Sequence, residues 1–148
     1  VRGRRIMNDL VNNPKHYTSH QSGVMCIDIT EHLMCNRANA IKYAWRAENK
    51  GAHLQDLNKC VWYLEREIER IKKTNEPSFH AYELDVHYDK LYAYYKKYEF
   101  DKRLIAFIES VIFGGEDGLN YAIKIVNSWI PKNLASSGVN SILCFPVS

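Results

Sequence analysis

The sequence predicts an all-α protein, a single bundle-like helical domain that follows an extended N-terminal arm. Apolar residues recur at three- and four-residue intervals in six segments, which is the spacing of one helical face. No segment alternates apolar and polar residues as a half-buried strand would. The chain has 148 residues, 46% of them hydrophobic and 25% charged, which is the balance of an ordinary globular domain with its own core.

The first two predicted helices follow the arm. Residues 1–25 are expected to form this arm, because their second half is rich in Asn, Ser and His and has no apolar periodicity. Helical spacing begins at Cys26 and predicts a first helix over residues 26–34. Asn36 then offers an N-cap for a second helix over residues 37–50, which Gly51 would end.

The third predicted helix, over residues 54–73, has the clearest pattern. Its aliphatic side chains form a seam as narrow as that of a coiled coil, which predicts contact with a partner helix. Tyrosines line a further helix over residues 82–98. Two such apolar faces predict a homo-oligomer. The seam comprises Leu54, Leu57, Val61, Leu64, Ile68 and Ile71.

Two short helices are predicted after the tyrosine-rich one, over residues 102–113 and 119–130. A glycine-rich turn at residues 114–118 separates them, and Pro131 ends the second. The expected organisation is therefore an arm (1–25), a three-helix core (26–73), a tyrosine-rich helical part (79–131) and a tail (132–148).

Composition excludes several classes of protein. No apolar run approaches the roughly 20 residues that span a bilayer, and no secretion signal is evident, so we expect a cytoplasmic protein without a membrane partner. The net charge of +3 is small for a protein that coats duplex DNA, so nucleic acid is not an expected partner. The four cysteines form no C-x-x-C pair and are expected to be reduced and packed.

The most informative charged group is Lys42, Arg46 and Lys50, which lie four residues apart and therefore on one helical face. Their mutual repulsion would be relieved by an anion, and Arg46 could hold a phosphate with two hydrogen bonds. The alternative is a solvated basic face that binds nothing. On the phosphate hypothesis, replacing Arg46 by Ala leaves the melting temperature unchanged or slightly raised.

Aromatic and acidic residues nearby suggest further contacts, each with a structural alternative. Tyr43 and Trp62 could stack on a base, or pack in the core. Asp28 and Asp56 are weak candidates for Mg²⁺ ligands, because exposed carboxylates on helices are common. No G-x-x-x-x-G-K-[ST] phosphate loop is present, so phosphate binding would depend on side chains and helix ends.

Several runs of residues together resemble the SaV-like phage domain, DUF3310, over about residues 12–73. The sequence departs from the family pattern at Ala38, where the family has Gly. The runs are Asn13-Pro14-Lys15-His16-Tyr17, Ile27-Asp28, Asn39-Ala40-Ile41-Lys42-Tyr43 with Arg46 and Lys50, Asp56-Leu57, Lys59 and Trp62-Tyr63-Leu64.

The resemblance implies a phage origin, a helical oligomer and nucleotide binding by the three-helix core. One family member is a nucleotide kinase that lacks a Walker loop. Carried over by position, the implied catalytic residues are His16 and Arg46. The implied nucleotide-binding residues are Tyr17, Lys42, Tyr43, Lys50, Lys59 and Trp62.

Four functions remain open at this point. The first is a nucleoside or deoxynucleoside monophosphate kinase that uses Mg²⁺ and takes ATP or another nucleotide as ligand, in the cytoplasm of the infected cell. The second is a protein that sequesters a nucleotide against host defence without turning it over. The third is an oligomeric interaction module built on the seam. The fourth is a helical pyrophosphohydrolase, which would need a tight acidic cluster that the sequence does not show.

Overall fold

The computed structural model describes residues 20–47, 53–75, 81–98 and 102–131, and all regular structure in these ranges is α-helical. The all-α prediction is therefore confirmed for this part of the chain. The predicted tail and most of the predicted arm lie outside it. In chain order the helices are α1 (Cys26–Thr30), α2 (Cys35–Ala47), α3 (His53–Thr74), α4 (Tyr82–Tyr98), α5 (Arg103–Phe113) and α6 (Glu116–Trp129).

Helices α2 and α3 form the pair on which the rest of the core packs. Arg46 lies against Asp56 near one end of the pair, and Arg37 lies against Glu67 near the other. Because positions that rise along α3 meet positions that fall along α2, the two helices are antiparallel. Helix α6 packs on α3, α5 packs on α2 and α6, and α4 contacts α1 and α5.

The aliphatic seam of α3 is covered within the chain. Leu57 and Leu64 are fully buried, Val61 and Ile68 are nearly so, and α2 and α6 are the helices that pack on α3. The prediction that this seam faces a partner subunit is thus unsupported, because the chain itself supplies the partner helices. The tyrosine face of α4 is only partly covered, since Tyr98 is 52% exposed.

Two predicted helix boundaries were wrong. Helix α1 ends at Thr30 instead of residue 34, because the N–H of Leu33 bonds to the Thr30 carbonyl in a tight turn. Helix α2 consequently begins at Cys35, and Asn36 lies within it instead of capping it.

The last helix also starts earlier than predicted, at Glu116 instead of residue 119. Glu116 and Asp117 lie in its first turn, where negative charge favours a helix N-terminus. The turn before it requires Gly114, because a Cβ there would lie 2.3 Å from the Ser110 carbonyl oxygen. The glycine thus lets α6 follow α5 after only two residues.

Candidate functional site

Two lysines from different helices converge on the ring of Tyr43. The Lys42 ammonium, on α2, lies 4.8 Å from the ring centroid, and the Lys59 ammonium, on α3, lies 5.2 Å from it. An aromatic face attracts a cation at such distances. The antiparallel pairing of α2 and α3 therefore brings together three of the residues that the sequence predicted for nucleotide binding.

Aromatic rings continue this surface along α3. Tyr43 is 4% exposed and stacks on Tyr63, with 5.8 Å between the ring centroids and 13° between the planes. Trp62 meets Tyr63 edge-on at 4.9 Å and is half-buried, as is Tyr63. The buried position of Tyr43 excludes direct stacking of a base on most of its ring. Of the two predicted aromatic residues that the structure describes, Tyr43 and Trp62, it is Trp62 that remains partly accessible.

Arg46 does not stand free on a basic face. Its Nε atom lies 3.5 Å from the Oδ2 atom of Asp56, whose side chain is 2% exposed, against 27% for Arg46. The pair neutralises the predicted catalytic arginine and holds the start of α3 against the end of α2. Repulsion among like charges is therefore not the main interaction of Arg46 in the free protein, which revises the stability prediction made from sequence.

The remaining predicted site residues, His16, Tyr17 and Lys50, lie outside the described residues. Lys42 and Arg46 do lie four residues apart on α2, as the spacing predicted. The two side chains have different surroundings, because Lys42 faces an aromatic ring and Arg46 faces a buried carboxylate.

The described residues do not fit a preformed magnesium site. The Asp28 carboxylate accepts the backbone N–H of Met25 at 2.8 Å, and so caps α1, while Asp56 pairs with Arg46. No group of three His, Cys, Asp or Glu side chains that could hold a metal occurs in the described parts of the chain. The two weak metal candidates therefore have structural contacts of their own.

The cysteines within the described ranges are free thiols. Burial raises the pKa of the Cys26 thiol to about 12, against a smaller opposing effect of Lys42, and burial also raises the pKa of Cys60. Both thiols are therefore protonated at neutral pH and act as small apolar groups. The prediction of reduced, packed cysteines is confirmed for these two, whereas Cys35 is exposed.

Sequence reasoning missed a buried ionic group between α2, α3 and α5. Glu67 is 1% exposed and pairs with Arg70 and with Arg37, whose Nε lies 3.6 Å from Glu67 Oε2. Arg37 also donates to the carbonyls of Val111 and Gly114, each at 2.7 Å. The available signal was position, since Glu67 follows Leu64 by three residues and so falls beside the apolar seam.

A second group missed from sequence surrounds His20, at the end of the predicted arm. Its ring lies 5.2 Å from the Trp45 ring and 5.7 Å from that of Tyr95, centroid to centroid. Its nitrogens pair with Ser22 Oγ at 2.7 Å and Tyr95 Oη at 3.1 Å. Burial lowers the pKa of His20. This cluster fixes the arm where it joins the helices, against both α2 and α4.

No helix in the described ranges combines the length and apolar character that crossing a membrane requires. In comparisons with known proteins, residues 11–65 match the family model described as "Protein of unknown function (DUF3310)". The match spans α1, α2 and the part of α3 that carries Lys59 and Trp62. No curated protein and no solved structure matches the chain.

Proposed function

We propose, from the premise that residues 11–65 are a DUF3310 segment, that this chain is a phage protein that binds a nucleotide on the α2–α3 face. One observation carries the proposal: the ammonium groups of Lys42 and Lys59 both lie within 5.2 Å of one ring centroid. Two cations from separate helices lie near one ring there, and a bound phosphate would offset their charge.

The chemistry of the side chains supports this ligand. Lysine ammonium groups on flexible stems can both reach a single phosphate group. Half-buried Trp62 follows Lys59 by three residues on α3 and so lies on the same helical face. A base that stacks on an aromatic side chain contributes about 1–3 kcal/mol. A phosphate at the lysines with a base against Trp62 would therefore use both properties of the surface.

Phosphoryl transfer is the activity that the family resemblance implies, and we propose it as the reaction of this site. Such transfer depends mainly on positioning and on neutralisation of charge. At the Tyr43 ring, Lys42 and Lys59 are the groups that would neutralise this charge. Capture without turnover is the second candidate, favoured by the pairing of the predicted catalytic Arg46 with Asp56.

The first experiment is isothermal titration of the full chain with a panel of nucleoside mono-, di- and triphosphates. Charge-assisted hydrogen bonds contribute about 1.5–3 kcal/mol each, so Lys42→Ala and Lys59→Ala should each weaken binding roughly ten- to hundredfold. Lys124→Ala, which removes an exposed lysine of α6, is the matched control and should bind as the wild type does. Equal affinities for all four proteins would refute the proposed site.

A product assay then separates the two candidates. The chain is incubated with ATP, Mg²⁺ and each deoxynucleoside monophosphate, and diphosphate products are measured by chromatography. Product that disappears in Lys59→Ala supports the phosphotransferase. Tight binding with no product from any monophosphate supports capture.

A further inference from the structure

A cavity of about 280 Å³ lies on the α2–α3 pair, toward the opposite end from Arg46 and Asp56. Three cationic side chains and one carboxylate line it, so its charge is positive. Asn36 adds an amide group that can donate a hydrogen bond to an anion, whereas the Thr74 hydroxyl donates to the Arg70 carbonyl. The lining residues are Asn36, Arg66, Glu69, Arg70, Lys73 and Thr74.

Buried contacts fix the position of one of the cationic side chains that line this cavity. Arg70 pairs with buried Glu67, which Arg37 also contacts, so the Arg70 guanidinium is fixed by an anchored carboxylate. Arg66 pairs with Glu69 across one turn at 3.3 Å, and both side chains are exposed. An exposed pair of this kind is weak and exchanges readily for a stronger anion. Arg66 can therefore turn to a phosphate, while Arg70 is already oriented.

The cavity continues the lysine–tryptophan surface along α3. Lys59, Trp62, Arg66, Arg70 and Lys73 follow one another at three- and four-residue steps, which places them within about 80° of each other around the helix. We call these five residues the α3 stripe. From Lys59 to Lys73 the stripe extends about 21 Å along the helix axis, at about 1.5 Å per residue.

We propose that the α3 stripe binds a short single-stranded oligonucleotide, with one phosphate at Lys42 and Lys59, a base on Trp62 and a later phosphate in the cavity. The inference rests on the proposed function and extends its ligand. Along α3, about 16 Å separates Lys59 from Arg70 near the middle of the cavity. The phosphates within one nucleotide are linked through bridging oxygens and therefore lie much closer together than these two sites. The two sites can thus be filled together only by phosphates of different nucleotides.

The alternation of cationic and aromatic side chains also favours a single strand. Proteins that bind single strands combine a cationic groove for the backbone with aromatic platforms for the bases. In duplex DNA the bases are paired and stacked inside the double helix, so Trp62 could not stack on them. The low net charge that argued against nucleic acid concerns the whole chain, whereas the stripe is a local concentration of charge on one helix.

The test is fluorescence anisotropy with the full chain and 5′-labelled oligodeoxythymidylates of two to six nucleotides, at several salt concentrations. Unlabelled thymidine monophosphate competes in parallel. The longest strand should bind at least tenfold more tightly than the mononucleotide. Lys73→Ala should weaken its binding several-fold and lower the salt slope by about 0.7, the value for one phosphate contact on a single strand. Mononucleotide binding should not change.

Lys72→Ala is the matched control, because it removes the same charge from the neighbouring position. Lys72 lies outside the stripe, about 100° around the helix from Lys73, and pairs with Glu116 at 3.4 Å. Lys59→Ala should weaken both ligands. If the mononucleotide binds but the longer strand binds no more tightly, or if Lys72→Ala and Lys73→Ala have equal effects, the stripe proposal alone is overturned.

Two further outcomes separate the proposals. If neither ligand binds, the proposed function fails together with the inference. If a duplex of the same length binds as tightly as the single strand, the surface recognises charge alone, and the single-strand proposal is wrong.

Discussion

Glu67→Gln tests the buried ionic group on which α2, α3 and α5 meet. Glu67 is 1% exposed and Arg37 is 3% exposed, so the change leaves the Arg37 charge in the core without its carboxylate. Removing one partner of a buried ion pair typically costs about 3–5 kcal/mol. Arg37 retains two carbonyl hydrogen bonds, and Arg70 is partly exposed to water. We therefore expect about 3 kcal/mol, near the lower limit.

The assay is urea unfolding of the full chain, monitored by the helical circular dichroism signal. A loss of about 3 kcal/mol corresponds to a fall of roughly 6–12 °C in melting temperature for a domain of this size. Glu69→Gln is the matched control, since Glu69 is exposed and pairs with Arg66 on the same helix. That change should cost no more than about 0.5 kcal/mol. If the two variants unfold alike, water reaches Glu67 and the buried-pair argument is refuted.

Three further changes address the remaining contacts. Gly114→Ala should destabilise the chain by about 1–3 kcal/mol, because its Cβ would meet a backbone oxygen of α5, whereas Gly115→Ala, in open space, should cost far less in the same urea unfolding. Arg46→Ala should lower the melting temperature, at a cost of about 1–3 kcal/mol, because it leaves buried Asp56 without its cation; an unchanged or raised value would restore the prediction made from spacing alone. Burial lowers the pKa of His20 below its ordinary value of 6.5, so the folded state favours the neutral ring and loses stability as pH falls below about 6.5; His20→Phe should unfold with a smaller loss between pH 7.5 and 5.5, and an unchanged loss would exclude this role.

The positions of the helices could be predicted from sequence, because apolar spacing records which side of a helix meets the core. Helix α4 has the predicted bounds, and α3 differs by one residue at each end. The resemblance to DUF3310 could also be detected from sequence, since the residues that carry it lie within residues 11–65, which match the model of that family. Boundaries that depend on turn geometry, such as the end of α1, could not.

The candidate site was only partly predictable. The four-residue spacing predicted that Lys42 and Arg46 lie on one face of a helix, and in the structure both lie on α2 with this spacing. Only the packing of α3 decided that Lys59 lies with Lys42 at the Tyr43 ring and that Arg46 faces Asp56. Periodicity says which residues share a face of one helix, but it does not say which face of another helix lies opposite.

The same limit explains the seam of α3 and the buried Glu67. The sequence determined that the seam must be covered, because its exposure to water would be too unfavourable, yet it could not tell a partner subunit from α2 and α6. Glu67 reads on its own as a surface carboxylate. Tertiary structure made it a core residue by bringing Arg37 to it from α2, in addition to Arg70 on its own helix, since a buried charge is stable only where opposite charge and hydrogen bonds compensate it.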